Sequence, residues 1–124
     1  FVAAAQVIED VGVRAWKGQI RPLMRYPDVL ESVFTIHSVE ARHAAEIRRL
    51  RGGFGNQGAN KGWITGTATD IPGSEPFYAG EGNANEAGIR VLSVTAVGID
   101  RITEAFDEPL STAQLEAIVG QVIG

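Results

Sequence analysis

Glu9, Glu40 and His43 are the residues whose types and spacing point most directly to chemistry. Glu40 and His43 stand three apart in Glu40-Ala41-Arg42-His43, a separation that sends both side chains to one side of a helix. On a helical wheel of about 100° per residue, Val29, Val33, Ile36, Ala44 and Ile47 share one face, with Glu31, Ser38, Arg42 and Arg49 opposite. Glu40 falls at the centre of the apolar face, with His43 about 60° away and still inward. Glu9 lies in an apolar segment of its own, with Val2, Ala5, Val13 and Trp16 as angular neighbours. A carboxylate in such a setting is costly unless compensated. Three compensations exist: a basic partner in the core, a raised pKa, or a metal ion. Periodicity does not choose between a core ion pair and a metal. If a metal is held, carboxylate oxygens with an imidazole nitrogen suit iron or manganese, and zinc less distinctively. His37, three residues before Glu40, either orients Glu40 from behind or is a hydrogen-bonded core histidine, the commoner role.

The elements that must position these residues are two helices. The first covers residues 1–17 and lacks proline. Asp10, Arg14 and Lys17 form a narrow stripe expected to face solvent, with Asp10–Arg14 a favourable i,i+4 pair. The rest is apolar enough for a helix buried on most sides, and Gly18 is expected to end it. A short link containing Pro22 follows, which favours antiparallel neighbours. Pro27 and Asp28 suit the first turn of the second helix, over residues 27–51. Arg48, Arg49 and Arg51 with Gly52 and Gly53 suit its end, the arginines read as a solvated terminus with phosphate binding a minor alternative. Nine glycines between Gly52 and Gly82, with Pro72 and Pro76, then describe a loop-dominated stretch. Ile89 to Ile99 is open between strand, helix and extended cover. Ser111 with Gln114 has capping-box spacing and opens a short terminal helix through Leu115, Ile118, Val119 and Val122. Trp16 and Trp63 are expected to be packing residues.

Composition removes several function classes. The chain has 124 residues, a formal net charge of -4 and no cysteine, so disulfides, thiolate metal sites and a cysteine nucleophile are out. Residues 1–51 hold eight Lys/Arg against six Asp/Glu, and residues 52–124 three against nine, a balance that does not suggest nucleic acid. No apolar run approaches the ~20 residues of a membrane span. The glycines match no phosphate-loop pattern.

The stretches IEDVGVRAWKGQ (Ile8–Gln19) and TIHSVEARHAAEIRRLRG (Thr35–Gly52) resemble the ferritin-like domain family, which includes bacterial exported proteins and plant desiccation-related proteins. GWITG (Gly62–Gly66) and AFDEPLSTAQLEAIV (Ala105–Val119) are similar to the end of the same family. The resemblance implies a mainly α fold. Residues 1–53 would be two long antiparallel helices, half of a ferritin-like four-helix bundle. Residues 54–124 would be a long Gly-rich, loop-dominated extension that wraps the same domain and ends in a short helix. In two-metal bundles of this kind two helices each supply a Glu and two others each supply Glu-x-x-His. Glu9 then matches the third-helix carboxylate, and Glu40 with His43 the fourth-helix ligands, for two Fe or Mn ions per complete bundle. The first two helices are not in this sequence, and Phe1 to Ala5 already read as helix interior. The expected partner is therefore the missing N-terminal half of the same protein, or a second copy related by a twofold axis in a homo-oligomer. Export to the periplasm or outside the cell is implied by the resemblance alone.

Two functions compete on this fold. One is a metal-dependent redox or oxidative-stress protein. The other is a non-catalytic structural or stress-protective protein without bound metal, since fold does not fix function. A surface interaction module built on the glycine-rich loop and the acidic tail has little to support it.

Overall fold

The computed structural model describes residues 1–52 and 61–123; the glycine-rich stretch from Gly53 to Asn60 lies outside them. The chain forms two compact units. One is Phe1–Gly62 together with Pro109–Gly124, and the other is Trp63–Glu108.

The first unit is helical. Helix α1 runs Val2–Leu23 and helix α2 runs Pro27–Gly52. Their connection is so short that the second must turn back along the first. Cross-helix bonds confirm the antiparallel order, with Val13 opposite His37 and Gln6 opposite Arg51. Pro27 opens α2 without removing a needed donor, Asp28 lies in its first turn and Arg49 and Arg51 in its last, as the helix dipole favours. Helix α4, Thr112–Ile123, begins with the expected capping box: Gln114 N donates to Ser111 Oγ at 3.3 Å, and Ser111 N donates to Gln114 Oε1 at 2.9 Å. Ile118 of α4 and Leu110 just before it are buried.

Three expectations for α1 are corrected. Gly18 does not end the helix, which continues through Pro22 to Leu23. Proline lacks an N–H, but in the last turn this costs only one helical bond. Gly18 serves a different need: the backbone of Leu110 passes so close that a Cβ on residue 18 would stand 1.8 Å from the Leu110 carbonyl oxygen. The same approach lets Leu110 N donate to the Arg14 carbonyl at 3.0 Å. The supposed solvent stripe is therefore covered, with Arg14 only 2% exposed. Nor is α1 buried on most sides, for Ile8 is 68% exposed. On α2, Val33 and Ala44 are buried while Val29, Phe34, Ile36 and Leu50 are exposed, so much of the apolar surface of the hairpin is open.

The second unit has short elements only: 3₁₀ turns at Glu75–Tyr78 and Val91–Ser93, strands β1 (Asn85–Glu86) and β2 (Ile89–Arg90), and helix α3 (Ile99–Thr103). The β-branched run from Ile89 thus divides into a strand, a turn and the start of α3. Ile64, Tyr78 and Ile102 form the apolar centre. Polar bonds do much of the tying. Gly66 N donates to Thr103 Oγ1 at 2.9 Å, Thr65 Oγ1 to Glu104 Oε1 at 2.7 Å, and Glu108 N to Glu81 Oε1 at 3.1 Å. Trp63, expected to pack, is 53% exposed.

Strands β1 and β2 are antiparallel, with Glu86 opposite Ile89, so Ala87 and Gly88 make a two-residue turn. Both have positive φ, 50° and 85°, the pattern of a type I′ hairpin that favours Asn-Gly. Alanine pays a left-handed penalty of about 1 kcal/mol there. Ala87→Asn is expected to stabilise this unit by ~0.5–1 kcal/mol, read as a rise in its denaturant midpoint.

Candidate metal centre

Helix periodicity brings the three candidate ligands together. Glu9 projects from α1 toward α2, and Glu40 and His43 project back from one turn of α2. One ligand atom from each lies within 4.8 Å of the others. His43 Nδ1 is 3.3 Å from Glu9 Oε2, with 23% of the Glu9 side chain exposed and 56% of the His43 side chain exposed. His43 therefore stands at the open rim of the cluster and not inward, as the wheel suggested. Glu40 is half-buried. Its carboxylate lies over Gly12 of α1, where an added Cβ would come 3.5 Å from Oε2.

The electrostatics are unusual for a core pair. The contact with the Glu9 carboxyl, burial and the charge of Glu9 together raise the Glu40 pKa, while His43 and a hydrogen bond from the Trp16 indole oppose the rise. Among the described residues no lysine or arginine pairs with Glu40; of the two basic core partners weighed from the sequence, arginine or histidine, only a histidine, His43, acts on it. Glu9 Oε2 is buried and makes no hydrogen bond; the 3.3 Å approach of His43 is an electrostatic contact without hydrogen-bond geometry. A buried carboxylate oxygen without a donor is costly. Two carboxylates and an imidazole converging on one point, with that oxygen unsatisfied, fit a divalent cation.

His37 is not beside the cluster's open side. Its Nδ1 donates to the Val13 carbonyl of α1 at 3.1 Å, which makes it a cross-helix tie. Trp16, read from the sequence as packing only, reaches Glu40. The signal was there, since Trp16 is seven residues from Glu9 and on the same helix face. The terminal arginines were also misplaced. Arg48 pairs with Asp10 and Arg51 donates to Gln6, both across the helices, and only Arg49 turns outward, to Glu46.

This arrangement of two helices can be set beside known proteins. The ferritin-like domain matches over residues 1–53, the span of α1 and α2 that carries all three candidate ligands. Residues 1–53 are thus similar to the ferritin-like domain family. No curated protein and no solved structure matches the chain. The ferritin-like match stops where the second helix stops, so Trp63–Glu108 and α4 lie beyond it. Among the described residues, no helix is long and apolar enough to cross a membrane.

Proposed function

We propose that the ferritin-like segment holds metal through Glu9, Glu40 and His43, as half of a two-metal carboxylate site for iron or manganese. The observation that carries this reading is the convergence of two carboxyls and an imidazole within 4.8 Å, with no lysine or arginine on Glu40 among the described residues. Glu9 and Glu40 would supply negative oxygen ligands from opposite helices, and His43 a nitrogen at the rim. The remaining ligands of a two-metal bundle come from two further helices, either elsewhere in the same protein or in a second copy. The uncovered apolar faces of α1 and α2 are consistent with such a cover. Metals held in this way supply one-electron redox chemistry, toward dioxygen, peroxide or ferrous iron, and place the protein in oxidative or desiccation stress. A compartment outside the cytoplasm follows from the resemblance to exported members.

A second reading has its own support. The raised pKa of Glu40 lets one proton shared with Glu9 neutralise the pair without any metal. The segment would then serve structure or stress protection.

Elemental analysis and cation titration of the purified protein separate the two. Metal ligation requires Glu40 ionised and His43 neutral, so binding releases protons. Affinity for Mn²⁺ is expected to increase with pH from the ordinary glutamate value of 4.5 upward through the raised value of Glu40. Metal-free protein that takes up no iron or manganese at neutral pH leaves the proton-sharing reading in place.

A further inference from the structure

Next to the candidate metal centre, the seam between α1 and α2 carries a polar network that ligation does not use. Arg48 forms an ion pair with Asp10, the residue following Glu9, and their side chains are only 11% and 14% exposed. Gln6, 1% exposed, donates through Nε2 to Asp10 Oδ2 at 3.4 Å and accepts from Arg51. Along α2, His37, Glu40, Ala44, Arg48 and Arg51 follow one another at spacings of three or four, so they form one stripe toward α1.

Apolar contact alone fixes the relative rotation of these two helices poorly. Val13, Val33 and Ala44 are their buried apolar residues, and small or smooth contacts tolerate slippage. A charged pair with directional bonds does not: it is satisfied at one register and left buried and unpaired at others. Rotation of α1 by one residue would carry Glu9 through about 100°, away from both partners.

We propose that Asp10 and Arg48, braced by Gln6 and Arg51, are positioning residues that set the rotation of α1 against α2 and so hold Glu9 against Glu40 and His43. Their value for ligation rests on the metal reading above, but the Glu9–His43 contact they enforce exists without metal and can be tested without it.

The test uses the whole chain at one fixed neutral pH. In metal-free protein, the ring nitrogen signals of His43 are recorded by NMR for wild type, Glu9→Gln, Asp10→Asn and the charge exchange Asp10→Arg with Arg48→Asp. Glu9→Gln defines the displacement caused by altering the Glu9 carboxylate. Asp10→Asn is expected to move the His43 signals in the same direction with helix content unchanged, and the charge exchange is expected to return them toward wild type. Co²⁺ titration of the same proteins is expected to show about tenfold weaker binding in Asp10→Asn, the usual scale for groups behind a ligand. His43 signals that respond to Glu9→Gln but not to Asp10→Asn would overturn the proposal, as would unaltered Co²⁺ affinity in Asp10→Asn. A loss of stability alone lowers the melting temperature and leaves those signals in place, which also overturns it. Displaced signals with no Co²⁺ binding in any variant, wild type included, would uphold the positioning role and sink the metal reading instead.

Discussion

Glu40→Gln should abolish the stabilisation that metal confers on this chain while leaving the metal-free protein folded and slightly more stable. The two halves of that expectation have separate causes. In the metal-free protein the Glu9 carboxyl and partial burial raise the Glu40 pKa above its ordinary 4.5. The folded state then holds the Glu40 proton more tightly than the unfolded state does. Its contribution favours the fold in full below 4.5 and is lost as pH rises through the raised value. Above that raised value ionised Glu40 is a liability. A glutamine there removes the repulsion and can donate to Glu9. The gain is up to about 1 kcal/mol, because the cluster is partly open to water and screened. With metal present the sign reverses. A ligand at about 100 times its Kd stabilises the native state by ~2.7 kcal/mol, and Glu40→Gln forfeits it. Thermal unfolding with and without Mn²⁺ reads both effects. An equal rise on adding Mn²⁺ in wild type and mutant would show that the ion binds elsewhere. No rise in either would favour the proton-sharing pair.

Gly18→Ala should be among the most damaging single-atom changes in the first unit. Alanine is the better helix former by about 1 kcal/mol, and residue 18 lies well inside α1, so local propensity favours the substitution. Tertiary packing opposes it. The new methyl carbon would lie 1.8 Å from Leu110 O and 2.8 Å from the Leu110 carbonyl carbon. Both are backbone atoms and cannot rotate away as a flexible side chain would. The segment before α4 must shift, straining the Leu110–Arg14 backbone bond and loosening buried Leu110 and Ile118. Overpacking of this kind costs ~1–3 kcal/mol or more, and exceeds the propensity gain. Chemical denaturation of the variant is expected to show that loss. Equal or increased stability would mean that Leu110 does not pack on Gly18. A wild-type-like Mn²⁺ response in the destabilised variant would place the two effects in separate parts of the unit.

The proximity of Glu9, Glu40 and His43 was readable because helical geometry is local. Spacings of three and four residues already bring Glu40 and His43 to one side, and the antiparallel turn forced by the short link brings Glu9 opposite. Pro27, Asp28 and the Ser111–Gln114 box were readable for the same reason: each acts on backbone groups within one turn. The errors all arose where a distant segment decides the outcome. Gly18 has the composition of a helix stop, yet the approach of Leu110 makes it an interior contact. Arg14 occupies a polar stripe, yet that stripe is covered. Arg48 and Arg51 suit a solvated helix end, yet Asp10 and Gln6 of the other helix draw them inward. Their long apolar stems and directional heads allow this burial once acceptors are supplied.

Local sequence therefore settled that two long helices and a terminal one form, where α2 and α4 begin, and that two carboxylates and an imidazole share one neighbourhood. Tertiary structure settled how those groups are answered. Without knowing what surrounds Glu40, a core ion pair and a cation site have the same periodicity. The fold places Glu9, Trp16 and His43 around it and brings no lysine or arginine to it among the described residues. Charge compensation depends on distances between helices, which no pattern along a single helix encodes.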